Sequence, residues 1–151
     1  MDRIRFESPV GPLELEEEGG KLTRLCLPNG LLGPVGEETP LLARGREELL
    51  EYFQGKRRSF DLPLDPRGTP FRLIVWSALE DIPYGQAITY GELARRIGRP
   101  KAVRAVGQAN HHNPLPILIP CHRVVGSGGS LTGYGGGLDL KEILLRLEGV
   151  L

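Results

Sequence analysis

The sequence predicts an α+β protein of two domains: a small N-terminal antiparallel sheet with a covering helix, then a mostly helical C-terminal domain. The second domain is expected to contain a helix-turn-helix and a loop that carries a candidate active-site cysteine. Three observations predict this class: apolar residues alternate over residues 3–28, they recur at helical spacing over 40–53, and the turn-rich segment 62–68 separates these patterns from further helical ones. We therefore place the domains at residues 1–67 and 68–151.

The first domain begins with three short runs in which apolar and polar side chains alternate. Turns that contain glycine or proline separate the runs, which predicts an antiparallel meander. The apolar members are Ile4 and Phe6, Leu13 and Leu15, and Leu25 and Leu27. The next segment, Pro40 to Phe53, has leucines at helical spacing and ends before Gly55, so one helix is expected to cover the sheet.

The second domain is expected to open with a helix. Thr69 is placed as its N-cap, and Pro70 takes the first helical position, where a missing N–H has no cost. Phe71, Val75 and Leu79 recur every four residues. They form the inward face, and Trp76 is assigned to the core.

Residues 89–109 fit a helix-turn-helix. Thr89 and Glu92 form a capping-box pattern before a short helix that ends at Gly98. Pro100 then opens a second segment with a stripe of small residues on one side and a polar stripe on the other. The small stripe is Ala102, Ala105, Val106 and Ala109, and the polar stripe is Lys101, Arg104 and Gln108. The pattern is shared by DNA-binding motifs and by helical hairpins of enzymes.

Charge is unevenly distributed along a chain whose net charge is zero. Residues 1–69 hold 10 basic and 13 acidic residues and residues 70–151 hold 9 and 6, so the two parts carry −3 and +3. A basic cluster without intervening acids is either a phosphate-facing patch or a solvated face. It consists of Arg95, Arg96, Arg99, Lys101 and Arg104.

Two classes of protein are disfavoured by composition. No apolar run approaches the ~20 residues of a membrane span, and the N-terminus has no pattern of a secretory signal. A cytoplasmic protein is therefore expected, in which Cys26 and Cys121 remain separate thiols.

Cys121 follows a stiff apolar run, residues 113–120, that holds three prolines. A buried structural cysteine is one interpretation. The other is a nucleophile, which needs a base or a positive field to form the thiolate, and His122 and Arg123 are candidates for that role. In an extended strand, however, His122 would point away from the sulfur.

The last helix offers a group that could orient this histidine. Its apolar stripe is expected to be Leu140, Ile143, Leu144 and Leu147, and Glu148 lies at its C-terminus, where the helix dipole disfavours an acid. Glu148 pairs either with a nearby arginine or with His122, and the pattern leaves both open. The glycine-rich segment 126–137 forms either a flexible hairpin or a wall against a flat ligand, with Tyr134 for stacking.

Motifs along nearly the whole chain resemble one enzyme family. They are YFQG at 52–55, GTPF at 68–71, IPYG at 82–85, TY at 89–90, RAVG at 104–107, NP at 113–114, IPCHRV at 119–124, GY at 133–134, GGL at 136–138, and LL and EG at 144–149. In these motifs the sequence resembles the O6-alkylguanine-DNA alkyltransferases, also called methylated-DNA–protein-cysteine methyltransferases. The IPCHRV motif is the most specific of them.

The resemblance implies a direct-reversal DNA-repair enzyme of the suicide type. Cys121 would accept the alkyl group of O6-alkylguanine, His122 would act as its base through a water molecule, Glu148 would complete the relay, and Asn113 would brace the turn. One protein would repair one lesion, without metal or cofactor, as a monomer on double-stranded DNA. The sequence leaves open whether O4-alkylthymine is a second substrate.

The resemblance also implies which residues bind DNA and which line the substrate pocket. Arg104 would enter the base stack in place of the flipped nucleotide, and Tyr90 would push on its phosphate and hydrogen-bond the base. The other expected DNA contacts are Thr89, Lys101, Ala102, Gln108 and Arg123, and the expected pocket walls are Val124, Tyr134, Gly135, Gly136 and Lys141.

Two features differ from some members of that family. Only Cys26 is present where certain relatives bind zinc with a Cys/His set, so no structural zinc is expected. Gly135 stands where others carry serine and leaves only a backbone N–H to meet the guanine O6. One alternative is a non-catalytic alkyltransferase-like lesion binder, which the presence of Cys121 disfavours. The others are a cysteine hydrolase that uses Cys121 and His122, and a metal site of His111, His112, His122 and a cysteine, whose spacing fits no usual ligand pattern.

Overall fold

The structure is a computed structural model that describes residues 1–132 and 134–151. The described chain divides into two compact units, Met1–Arg67 and Gly68–Leu151. No helix among the described residues is long and apolar enough to cross a membrane. Gly133 of the glycine-rich segment lies outside the described residues.

The first unit is the predicted meander with its helix. Strands β1 (Asp2–Ser8), β2 (Gly11–Glu18) and β3 (Lys21–Cys26) form an antiparallel sheet in that order, and helix α1 (Pro40–Phe53) packs on it. The register pairs Ile4 with Leu15 and Leu15 with Leu25, which brings the alternating apolar residues to one face. Thr39 caps α1 by accepting a hydrogen bond from the Leu42 N–H at 3.1 Å. This part of the prediction is confirmed.

Glycine at one position allows α1 to approach the sheet closely. A Cβ atom on Gly45 would lie 2.5 Å from Cδ2 of Leu15, a side chain that is fully buried. The core between the helix and the sheet is therefore built around a glycine. Its apolar members are Ile4, Phe6, Leu13, Leu15, Leu22, Leu25, Leu42, Leu49 and Tyr52.

The second unit is mostly helical. It contains α2 (Pro70–Leu79), α3 (Tyr90–Arg96), α4 (Val103–His111) and α5 (Leu138–Leu147). Thr69 caps α2 as predicted, since its hydroxyl accepts a hydrogen bond from the Arg72 N–H. Trp76 is 1% exposed, and its indole N–H donates to the carbonyl of Ala109 at 2.7 Å, which joins α2 to α4.

A short parallel pairing in this unit was not predicted. Strands β4 (Ile88–Thr89) and β5 (Val124–Val125) pair Ile88 with Val124 and Thr89 with Val125. Strand β4 leads directly into α3, and β5 directly follows the cysteine turn, which is formed by Cys121–Arg123. The pairing therefore brings the first turn of α3 near this turn. Two-residue strands lie below the length that alternation can detect.

The helix-turn-helix has the predicted first helix but a later second one. Thr89 caps α3, and Gly98 ends it with a φ of +74°. Helix α4 begins at Val103 rather than Pro100, because residues 99–102 form a turn. The predicted small-residue stripe is wrong in part: Ala102 precedes the helix, Ala105 is exposed, and the buried face is Val106, Ala109 and Asn110.

The inward face of α5 also differs from the prediction. Ile143 is 49% exposed, whereas Leu140, Lys141, Leu144 and Leu145 are buried. The helix is turned so that Lys141 and Glu148, seven residues apart, both face inward, which a stripe of apolar residues does not show. Their polar groups have partners inside the unit, as described next.

Candidate active site

Cys121 is held by a segment that is tied at both ends. The Asn113 side chain donates to the carbonyl of Ile119 at 2.8 Å and accepts from the N–H of Leu115 at 3.0 Å. The Asn110 side chain on α4 donates to the carbonyl of Cys121 at 3.2 Å. With residues 115–120 buried, the thiol has a fixed position and is 4% exposed.

Burial raises the pKa of the Cys121 thiol to about 11, although the Asn113 side chain and the charge of Lys141 act in the opposite direction. At pH 7, only one thiol in about ten thousand is then ionised. The free protein thus holds a neutral thiol, and a nucleophile forms only when a base takes its proton.

Cys121, His122 and Arg123 lie in one turn. Residues Cys121–Arg123 form a 3-10 turn, not the extended strand in which His122 and Arg123 would point to opposite faces. Both side chains instead reach the carboxylate of Glu148.

Glu148 pairs with His122 and with arginine at the same time, so both interpretations left open by the sequence apply. Oε2 lies 2.6 Å from Nε2 of His122 and 3.0 Å from Nη2 of Arg123, and Oε1 lies 2.8 Å from Nε of Arg123. The N–H of Gly85 donates to Oε1 at 3.3 Å. These donors offset the unfavourable place of an acid at the C-terminus of α5.

These contacts assign the protons of His122. Arg123 and Gly85 only donate to Glu148, so the carboxylate is the acceptor, and Nε2 of His122 carries a hydrogen. The imidazole is fully buried, and this burial lowers its pKa even though Glu148 favours the charged form. Nδ1 is thus the unprotonated nitrogen, and it has no hydrogen-bond partner among the described residues.

Three residues of the segment after α2 complete this cluster, and sequence reasoning assigned them no role. The carbonyl of Ile82 accepts from Nη1 of Arg123 at 2.6 Å. The Tyr84 hydroxyl donates to the carbonyl of Leu147 at 3.2 Å, and Gly85 binds Glu148 as described. Their signal was the IPYG motif, which only the resemblance could have connected to α5.

Lys141 is fully buried and binds two carbonyl groups. Its Nζ lies 2.5 Å from the oxygen of Val124 and 2.7 Å from that of Thr132. Burial lowers the pKa of this amine from 10.5 to about 8, and the neighbouring Cys121 acts in the opposite direction. Lys141 is therefore a buried cation that faces the thiol.

The Thr132 carbonyl also accepts a hydrogen bond from the Tyr90 hydroxyl at 3.0 Å. Burial raises the pKa of this phenol, which keeps it a donor at neutral pH. Tyr90 on α3 and Lys141 on α5 thus hold the glycine-rich segment from two sides. Thr132 was not predicted as a site residue, because the groups act on its backbone oxygen.

A groove of about 420 Å³ runs along the exposed side of α4. It brings together predicted residues, Tyr90, Arg104 and Gln108, with His111, which sequence reasoning considered only as a metal ligand. The other lining residues are Val103, Gly107 and Thr132. Lys101 and the half-buried Ala102 line a separate depression with Arg99 and Pro100.

Arg123, which was predicted to contact DNA, lies inside the second unit. Arg123 is 7% exposed, and its guanidinium nitrogens bind Glu148 and the Ile82 carbonyl. Its charge is therefore used inside the unit. Thr89 caps α3 through its hydroxyl, which accepts from the N–H of Glu92 at 3.1 Å.

The predicted pocket residues differ in exposure. Val124 and Tyr134 are buried, Gly136 is half-buried and Gly135 is exposed. A Cβ atom on Gly135 would lie 3.3 Å from the carbonyl oxygen of His111, so this position is close to the end of α4. No group of three or more His, Cys, Asp or Glu side chains that could hold a metal ion occurs within residues 1–132 and 134–151.

Comparison with known protein families shows which family the chain matches. Residues 4–66 match the ribonuclease-like domain, and residues 70–150 the DNA-binding domain, of 6-O-methylguanine DNA methyltransferase. The chain belongs to the 6-O-methylguanine DNA methyltransferase family. The fold, the enzyme class and the DNA-repair activity that the resemblance implied are confirmed at this level.

Individual members of the 6-O-methylguanine DNA methyltransferase family are similar over most of their length. The methylated-DNA–protein-cysteine methyltransferase of Methanosarcina acetivorans is 49% identical and covers 95% of this chain and 96% of its own. The constitutive enzyme of Bacillus subtilis is 47% identical over 94% of this chain and 92% of its own.

Solved structures of the family agree with this fold. The crystal structure of the Mycobacterium tuberculosis O6-methylguanine methyltransferase is 45% identical, has a TM-score of 0.89, and covers 98% of this chain and 92% of that one. A second structure, of Mycobacterium tuberculosis OGT in complex with DNA, is 44% identical with a TM-score of 0.86, over 99% and 93% of the two chains.

Proposed function

We propose that the protein takes the alkyl group of O6-alkylguanine in duplex DNA onto the sulfur of Cys121, once per molecule. The observation that carries this proposal is a turn in which the buried thiol of Cys121 directly precedes the buried imidazole of His122, whose Nε2 is bound to Glu148 at 2.6 Å and whose Nδ1 has no hydrogen-bond partner among the described residues. Membership in the family supports the choice of guanine alkylated at O6 as substrate.

The chemistry needs one proton transfer and one displacement. The thiol proton of Cys121 passes through a water molecule to Nδ1 of His122, and Glu148 stabilises the imidazolium that results. The thiolate then attacks the alkyl carbon; the sulfur–carbon bond forms, the bond to O6 breaks, and its electron pair remains with guanine. The released guanine takes up one proton. In the overall reaction, the thiol of Cys121 therefore loses a hydrogen and gains the alkyl group, and guanine loses the alkyl group and gains a hydrogen.

The product explains why each molecule acts once. A thioether is a poor leaving group, so the alkyl group stays on Cys121 and the nucleophile is consumed. Neither a metal nor a cofactor is needed for this displacement, and we propose that the protein works without them. The thiol of Cys121 must be in its reduced form before it reacts, which fits our proposal that the protein acts in the cytoplasm. We also propose that it acts as a monomer.

The buried thiol requires that the target base leave the duplex. O6 is out of reach in stacked DNA, and extrusion of a base costs a few kcal/mol, less for a lesion that pairs poorly. We propose that α4 lies on the DNA with Arg104 replacing the extruded base, while Tyr90 contacts its phosphate and the base. Lys101, Ala102, Gln108 and Thr89 would contact the surrounding duplex, and Val124, Tyr134, Gly135, Gly136 and Lys141 would line the pocket.

The test is to incubate the protein with duplex DNA that carries O6-methylguanine and to weigh the intact protein. We expect the mass to increase by one methylene group at one equivalent of DNA and then to remain constant. Proteolysis and mass mapping should place the methyl group on Cys121, whereas Cys26, whose pKa is also raised by burial, serves as the internal control. Tight binding without a change in mass would instead indicate a lesion-binding protein.

Arg104→Ala is expected to weaken repair of duplex DNA by about 1 kcal/mol, or about fivefold, because the variant loses one exposed cationic contact of α4. The measurement is the single-turnover rate at limiting DNA. Arg146→Ala is the matched control, since this arginine is exposed on α5 and pairs with Glu142. Equal losses in both variants would contradict a specific role of Arg104.

A further inference from the structure

Arg123 is the most constrained charged side chain around the catalytic cluster. Its Nε and Nη2 atoms grip the two oxygens of Glu148 at 2.8 and 3.0 Å, and Nη1 binds the carbonyl of Ile82 at 2.6 Å. The guanidinium carbon lies 5.8 Å from the centre of the Tyr84 ring. The side chain is 8% exposed, so solvent screens these interactions only weakly.

This geometry restricts the carboxylate more than a single ion pair would. A guanidinium that binds both oxygens sets the plane of the carboxylate, and the bond to Ile82 prevents the guanidinium from turning away. With that plane fixed, Oε2 is left 2.6 Å from Nε2 of His122. One side chain thus joins the turn of Cys121, the end of α5 and the segment after α2.

We propose that Arg123 is a positioning residue for alkyl transfer, which holds the carboxylate of Glu148 against Nε2 so that Nδ1 of His122 stays available to accept the Cys121 proton. This inference rests on the proposed function and deepens it. Arg123 touches neither the sulfur nor the alkyl group, and it acts through Glu148 and His122 alone.

The charges around His122 define what removal of Arg123 does. The groups that face the imidazole are Glu148 from α5, Arg123 from its own turn and Lys141 from α5, and both cations lower its pKa. Without Arg123, Lys141 is the one of these two cations that still opposes the charge of Glu148 at His122. The imidazole then holds a proton to higher pH, and a protonated Nδ1 cannot accept the thiol proton.

The experiment compares single-turnover methyl transfer by full-length Arg123→Met, Arg123→Lys and the unmodified protein over a range of pH. In Arg123→Met we expect the rate of methyl transfer to fall several-fold at neutral pH. The acid limb, which is the decrease of this rate toward low pH, should move to higher pH. Arg123→Lys should restore the position of the acid limb, because the positive charge is kept. It should not restore the full rate, because lysine cannot form the bidentate interaction with both oxygens of Glu148. Arg146→Met is the matched control and should match the unmodified protein.

Arg123→Met leaves the buried carboxylate of Glu148 without its arginine and can fail to fold. In that case Arg123→Lys decides by itself, since it keeps the charge but cannot bind both carboxylate oxygens in one plane. A folded Arg123→Lys with a lowered rate supports the proposal, and one that reacts as fast as the unmodified protein overturns it. An unshifted acid limb in folded Arg123→Met, or a failure of Arg123→Lys to restore it, also overturns the proposal.

These outcomes are distinct from failure of the proposed function. If the unmodified protein gains no mass on O6-methylguanine DNA, the proposed function itself fails. If it does gain mass, differences among the Arg123 variants report on positioning alone.

Discussion

Replacing Glu148 by alanine is expected to lower the free energy of unfolding by about 3–5 kcal/mol and to abolish alkyl transfer. The variant removes the acceptor for Arg123, which lies at 2.8 Å, and for His122, which lies at 2.6 Å. Both side chains are nearly or fully buried, so water cannot replace the lost partner without opening the unit. The imidazole also loses the contact that holds the hydrogen on Nε2.

The measurement is a urea denaturation curve, followed by single-turnover kinetics on the folded fraction. Glu142→Ala provides the matched control, because this carboxylate is on the same helix but exposed, 3.1 Å from Arg146. An exposed pair of this kind contributes at most about 1 kcal/mol. A loss for Glu148→Ala as small as that for Glu142→Ala would show that the buried cluster does not stabilise the fold.

Local patterns were sufficient for much of the fold. The three strands follow from alternation, and the starts of α1, α2 and α3 follow from Thr39, Thr69 and Thr89, whose hydroxyls accept the first free N–H groups. These signals lie within a few residues of one another in the sequence. The cysteine turn and its partners were found differently, through the resemblance of the IPCHRV and EG motifs to one family.

The parts that the sequence did not predict depend on contacts between distant segments. Arg123 was predicted to contact DNA, but its guanidinium binds Glu148 and Ile82, which are 25 and 41 residues away along the chain. Lys141 makes α5 bury a position that an apolar stripe would leave exposed. Helix α4 starts late because residues 99–102 form a turn, which the proline at position 100 does not reveal by itself.

The cluster combines a strongly held carboxylate with a weakly acidic thiol. Glu148 accepts hydrogen bonds from three residues, whereas the pKa of Cys121 is raised to about 11 by burial. A thiol of this kind is protected from small electrophiles in the free protein. We propose that Cys121 becomes reactive when DNA is bound and His122 takes its proton. Because Cys121 can react only once, this keeps the thiol available for the alkylated base.

Lys141→Met is expected to slow alkylation of Cys121 at neutral pH while changing stability little. The charge of Lys141 lowers the pKa of the thiol, so its loss raises that pKa, and the thiolate fraction falls about tenfold for each unit of the rise. Iodoacetamide labelling without DNA and methyl transfer from DNA should both be measured. The exposed Lys21→Met in the first unit is the control.

The difference in stability between the unmodified protein and Lys141→Met should depend on pH in a predictable direction. The pKa of Lys141 is about 8 in the folded protein and near its ordinary value of 10.5 when unfolded. Below about pH 8 the amine is protonated in both states, so its burial destabilises the fold fully. Between about pH 8 and 10.5 only the unfolded chain holds the proton, and this contribution makes the free energy of unfolding rise with pH.

Lys141→Met removes that contribution, so the difference in stability between the variant and the unmodified protein should shift in favour of the unmodified protein above pH 8. At neutral pH the variant escapes the cost of a buried cation but leaves the carbonyl of Val124 without its 2.5 Å donor, and the two effects oppose each other. Urea denaturation of both proteins at several pH values measures this difference. A variant that is unstable at every pH but reacts normally when folded would mean that Lys141 supports the fold and not the thiol.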